Sequence, residues 1–172
     1  MPEILRKIAD GLIGLSAFVG ALGVLFEVVV IGVDVTGRAF GTPLYGSQDL
    51  STMTFVIVVF GGMAICDRIG GHISVDVFES RFPAAMNRWI NVGSALLGAV
   101  IFVFIAYAVA ESAKLSLLLN LSTNLLDLPK AWFQWALCAF ALITAFGMLV
   151  RAVELAISGR DVTRERQQQV LE

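Results

Sequence analysis

Charge is scarce in this chain. Asp, Glu, Lys and Arg make up 15% of the residues, against about a quarter in soluble domains. The apolar set from Ala to Cys makes up 58%, which leaves too little polar surface to clothe a water-soluble body of this size. Basic excess is also missing: the net charge is −2, so nucleic-acid binding has no electrostatic footprint. Histidine occurs once, at His72, and one imidazole neither ligates a haem twice nor builds a metal site. The two cysteines, Cys66 and Cys138, lie in apolar runs, where a thiol behaves as a small hydrophobe and forms no disulfide framework. No Gly-rich phosphate cradle, nucleophile–base pair or carboxylate dyad lies within an apolar run. These absences argue against an enzyme and imply no cofactor.

What is present is hydrocarbon in long blocks, with a mean hydropathy of +0.83. Four runs stand out: 11–33, broken only by Glu27, and 50–66, 89–110 and 131–150, which carry no charge. A helix needs about 17–25 residues to cross ~30 Å of hydrocarbon, so all four are long enough and the second is the shortest that suffices. Pro2, Pro43, Pro83 and Pro129 all fall outside the runs, as expected where each span must satisfy its own backbone hydrogen bonds. Within the runs, Gly61-Gly62 is the one weak candidate for a helix interruption. The expectation is an all-α integral membrane protein of four transmembrane helices, forming a single membrane domain with a polar tail over 158–172.

Lysine and arginine set the orientation. Arg6, Lys7, Arg68, Arg81, Arg88, Arg151, Arg160, Arg164 and Arg166 fall on one side, against Arg38, Lys114 and Lys130 on the other. The positive-inside rule then puts the N and C termini in the cytoplasm. The first run is too long for the 7–15 residues of a signal-peptide core and no Ala-x-Ala site closes it, so it reads as retained. Trp89, Trp132 and Trp135 stand at span ends as interfacial anchors.

Ser16, Gly20, Gly23, Glu27, Asp34 and Arg38 fall near one stripe of the first span, because steps of 3, 4, 7 and 11 return to roughly the same helical face. Small residues admit a second backbone and polar ones require protein or water in place of lipid, so the stripe is a candidate subunit interface. Glu27, the one ionisable group within a span, has two readings: a proton or cation carrier, or a buried hydrogen-bonding group at a helix contact. The lack of a second ionisable group inside the other spans favours the contact. Asp34 and Arg38, at i and i+4, read as an ion pair just outside the membrane.

The loop between the second and third spans is too apolar for a tether. Read as a helix, it puts Val75, Phe78, Phe82, Met86 and Trp89 on one side and His72, Asp76 and Glu79 on the other, which is the pattern of an amphipathic segment lying in the membrane plane over about 72–82. The 111–130 loop is dense in leucine and low in charge. Third-span helix is expected to continue past the headgroups until Asn120–Asn124 breaks it, with Pro129 introducing the fourth span.

Taken in order, the four spans, Gly70-Gly71-His72-Ile73-Ser74-Val75-Asp76, Pro83 ahead of the third span, and Ser122-Thr123-Asn124-Leu125-Leu126-Asp127-Leu128-Pro129 running into Trp132 resemble the small permease subunit (DctQ type) of tripartite ATP-independent periplasmic, or TRAP, transporters. The resemblance covers about Leu12 to Glu154. It implies a non-catalytic scaffold in the bacterial inner membrane. Its implied partners are a large permease subunit carrying the sodium and substrate sites, a periplasmic binding protein that delivers an organic acid such as a dicarboxylate or sialic acid, and membrane lipid. One departure is that the family often carries a proline early in the fourth span, where this chain reads Ala136-Leu137-Cys138-Ala139-Phe140. Two other functions remain in competition: a stand-alone proton-coupled exporter using Glu27, and a membrane anchor for a redox complex.

Overall fold

The structure is a computed structural model that describes residues 2–68 and 84–158. It contains four helices: α1 (Pro2–Ala39), α2 (Ser47–Arg68), α3 (Ala84–Leu118) and α4 (Lys130–Ser158). All four are long and apolar enough to cross a membrane. Each contains one of the four apolar runs and extends beyond it. At 1.5 Å per residue α1 is about 57 Å long and α3 about 52 Å, well beyond ~30 Å of hydrocarbon. The excess turns are the ones that carry charge, such as Arg6, Lys7 and Asp10 on α1, or Glu111 and Lys114 on α3. Both α2 and α4 run unbroken, through Gly61-Gly62 and through Ala136–Phe140 respectively.

The helices form two antiparallel hairpins, α1 on α2 and α3 on α4, joined mainly where α4 meets α2 and α1. Packing is inside-out relative to a soluble bundle. The buried positions are small: Ala9, Ala64, Ala99, Ala106, Ala113, Ala141 and Ala145 are all nearly inaccessible. The large apolar side chains point away, with Leu15, Phe18, Leu25, Phe104 and Trp132 each more than 60% exposed. In hydrocarbon this is the favourable arrangement, because lipid tails solvate leucine as well as protein does and close backbone approach is what remains to be gained. Phe102, Ala106, Cys138, Ala141 and Ala145 form the α3–α4 core, and Ala9, Ile13 and Ala64 form the core where α1 and α2 meet.

Helices α1 and α2 approach closely at two glycines. A Cβ added to Gly61 would lie 3.0 Å from the Gly20 Cα and from the Ser16 carbonyl oxygen, whereas a Cβ on neighbouring Gly62 would meet nothing within 4 Å. The pair therefore makes an internal control. Gly61→Leu is expected to destabilise the purified protein by about 1–3 kcal/mol, the usual range for overpacking, and Gly62→Leu to leave it near wild type. The thermal midpoint in detergent measures both; equal midpoints would mean that the contact is not there.

Candidate partner interface

The α1 stripe is occupied by α2 of the same chain over most of its length. Ser16, almost fully buried, donates its hydroxyl hydrogen to the Gly61 carbonyl at 2.8 Å. One turn on, Gly20 lies against the Gly61-Gly62 backbone, and Gly23 against the Val58 side chain. Periodicity located this contact face, and the structure shows that the helix seated on it over Ser16, Gly20 and Gly23 is α2. Farther along, Asp34 is buried while Arg38 is exposed. Their ion pair closes at 2.7 Å, and the other Asp34 oxygen accepts the Leu44 amide at 3.1 Å. Asp34 thereby ties the α1–α2 loop back to its own helix.

Glu27 lies between these two zones, seven residues or about 10 Å before Asp34 along the helix. It is half-buried, and its Oε2 is shut off from the surface without a hydrogen-bond partner. Among the described residues no group of three His, Cys, Asp or Glu side chains approaches closely enough to hold a metal. An open groove of about 750 Å³ runs beside the loop-end part of α1, lined by Val29, Gly32, Val33, Thr36, Phe40 and Tyr45 among others; its walls carry no ionisable side chain except the Tyr45 phenol.

The end of the bundle that carries both loops is closed by a residue that hydropathy does not reveal. Asp49, in the first turn of α2, is buried and accepts the Leu125 and Leu126 amides on one oxygen, at 2.7 and 3.0 Å. Around it the α3–α4 loop folds into a tight turn. Ser122 and Pro129 form an antiparallel bridge, the Thr123 amide donates to the Leu128 carbonyl at 2.9 Å, and the Leu128 amide donates to the Thr123 hydroxyl at 3.1 Å. Asn120 (φ 48°) and Asp127 (φ 51°) occupy the left-handed conformation that Asn and Asp tolerate best among non-glycine residues. Gly46 (φ +76°) packs where any Cβ would strike the Leu126 side chain, so its left-handed turn and its lack of a side chain are both used. The Ser122–Pro129 motif is thus the chemistry of one turn and of its docking onto α2.

The end that carries the termini is closed by arginine. Arg68 on α2 pairs with Asp10 on α1 at 2.9 Å, Arg151 on α4 pairs with Asp67 on α2 at 3.0 Å, and Arg88 on α3 donates through Nε to the Leu155 carbonyl at 2.8 Å and through Nη2 to the Ala156 carbonyl near the end of α4. A cation there also meets the negative pole of the α4 dipole. Met86 and Trp89, in the first turns of α3, are exposed at this end. Val75, Phe78 and Phe82, the other members of the in-plane segment, and His72 lie outside the described residues.

The bundle uses charged side chains to close its own two ends and turns apolar flanks outward. The family model described as "Tripartite ATP-independent periplasmic transporters, DctQ component" matches residues 27–157, and the chain belongs to that family. It is also similar to the ectoine TRAP transporter small permease protein TeaB of Halomonas elongata, with 26% identity over 108 residues. That match covers 62% of this chain and 56% of the relative, so the chain spans little more than half of the relative's length. The protein is accordingly a multi-pass inner-membrane component of a TRAP transporter and not an enzyme. That membership removes the redox-anchor and stand-alone exporter readings.

Asp49 supplies the test of this geometry. Asp49→Ala leaves the Leu125 and Leu126 amides without their acceptor, at a cost of about 1–3 kcal/mol. Hydrogen exchange should quicken at these two amides while the α1–α2 contact at Gly61 stays protected. Unchanged exchange at 125 and 126 would show that the carboxylate does not hold the loop.

Proposed function

We propose that this chain is the static frame of its transporter: it holds a large permease subunit that carries the sodium and substrate sites and moves, while a periplasmic binding protein delivers the solute. The observation that carries this reading is the double closure of the bundle. Asp49 at one end and the Asp67–Arg151 pair at the other tie the α1–α2 hairpin to the α3–α4 hairpin, while Asp10–Arg68 closes the first hairpin on itself. A body tied at both ends is suited to bracing a moving neighbour and ill suited to alternating access of its own.

The termini face the cytoplasm in this reading. Arg6, Lys7, Arg68, Arg88 and Arg151 at the terminal end, against Arg38, Lys114 and Lys130 at the loop end, support that orientation through the positive-inside rule. The 72–82 segment, continued by Met86 and Trp89, is the in-plane anchor at the cytoplasmic headgroups. The loop end is then periplasmic, on the side from which a binding protein approaches. The solute is an organic acid, a dicarboxylate or sialic-acid-like molecule; the relative's name adds ectoine to the candidates. The groove along Val29–Tyr45 offers no charged group to grip an acid.

Reconstitution separates a frame from a carrier. Vesicles holding this chain alone should show no uptake above protein-free vesicles. Vesicles holding the chain with its large subunit and binding protein should accumulate solute under an inward sodium gradient, and omission of the chain should abolish uptake. Uptake by the chain alone, or full uptake without it, would contradict the proposal.

A further inference from the structure

Most of the described carboxylates in this bundle come with partners, Glu154 near the end of α4 being an exception outside the apolar runs. Asp10 has Arg68, Asp34 has Arg38 and the Leu44 amide, Asp49 has the Leu125 and Leu126 amides, Asp67 has Arg151, Glu111 has Lys114, and Asp127 has the Ser122 hydroxyl. Glu27 departs from that pattern within an apolar run, where departure is costly. The ion-paired Asp10 and Asp34 bracket 24 residue steps of α1, about 36 Å, which is close to the thickness of the hydrocarbon. Glu27 lies inside that bracket. Its Oε2 has no hydrogen-bond partner, and no acyl chain supplies one. The helix around it is the least covered of the four, with 17% of its most apolar window buried. Val24, Phe26, Val28, Val29 and Ile31 on either side of it are exposed. The polar hydrogens nearest in the chain direction are taken: the Arg38 guanidinium belongs to Asp34, and the Thr36 hydroxyl donates to the Gly32 carbonyl.

From this we infer that Glu27 is the hydrogen-bond acceptor for a donor side chain on a membrane span of the large permease subunit, and that the two chains meet along α1 at this depth. The inference rests on the scaffold reading above and adds to it a location and a chemistry: the partner's span carries a neutral O–H or N–H group, from Ser, Thr, Asn, Gln or Trp, level with Glu27. A half-buried side chain turns toward such a donor by rotation about its own χ angles, so the α1–α2 contact below it at Gly20 and Gly23 need not open. In hydrocarbon one such bond adds a modest but measurable share to helix association.

The test uses the intact chain, affinity-tagged and co-expressed with its large subunit, as wild type, Glu27→Gln and Glu27→Leu. Glutamine keeps a carbonyl acceptor in the same shape, so Glu27→Gln should recover the large subunit at the wild-type level. Glu27→Leu should lower that recovery about fivefold, while the thermal midpoint of the chain alone in micelles does not fall. A benzophenone amino acid at position 27 should cross-link to the large subunit. Undiminished recovery with Glu27→Leu, a parallel fall in the midpoint of the isolated chain, or cross-linking to a second copy of this chain would each overturn the inference. Failure of the wild-type chain to recover the large subunit would instead sink the scaffold reading beneath it.

Discussion

Hydrocarbon offers a polar group nothing, and the architecture of this bundle answers that constraint. Backbone amides are satisfied inside helices, prolines stay out of the spans, and cohesion comes from alanines and glycines that let backbones touch rather than from leucine burial. The contact of Gly20 with Gly61, sealed by the Ser16 hydroxyl on the Gly61 carbonyl, is the clearest instance. A soluble helix pair would fill the same space with leucine; here leucine faces lipid.

Strong polar interactions are concentrated where the helices leave the hydrocarbon. At one end three arginines on three different helices reach across to carboxylates or to the last carbonyls of α4. At the other a single buried aspartate holds a turn that lies 76 residues away in sequence. Between helices the two closures differ in kind: charge pairs on the side rich in Lys and Arg, amide-to-carboxylate bonds on the side of the loops, where the Asp34–Arg38 and Glu111–Lys114 pairs each stay within one helix. Between them Glu27 is the one charged side chain within the four apolar runs, and it is unpartnered, which makes it stand out.

Much of this was legible in the residues. Hydropathy located all four spans, because the transfer free energy of about twenty apolar residues overwhelms local propensity. It underestimated helix length, since nothing in the hydrocarbon thickness stops a helix from continuing into water on pairs such as Glu111–Lys114. The helical stripe from Ser16 to Arg38 was visible as a face, but periodicity says which side of a helix is contacted and not by whom, and α2 proved to be the neighbour. Asp49 was missed for a related reason. An acidic residue at the first turn of a helix is common enough to pass as a dipole complement, and only the fold brings Leu125 and Leu126 to it. The nearest signal in the sequence was Gly46 just ahead of it, together with a leucine-rich loop whose asparagine and aspartate stand where left-handed turns favour them.

The central claim is that the two hairpins form one rigid body while the transporter works. Spin labels at Tyr45 in the α1–α2 loop and Leu119 in the α3–α4 loop, both exposed, report on the joint between the hairpins. Pulsed dipolar spectroscopy on the assembled complex should give a single narrow distance that stays the same in the resting state and during turnover with solute and binding protein. A second distance, or a shift of several ångströms on turnover, would mean that the frame itself moves.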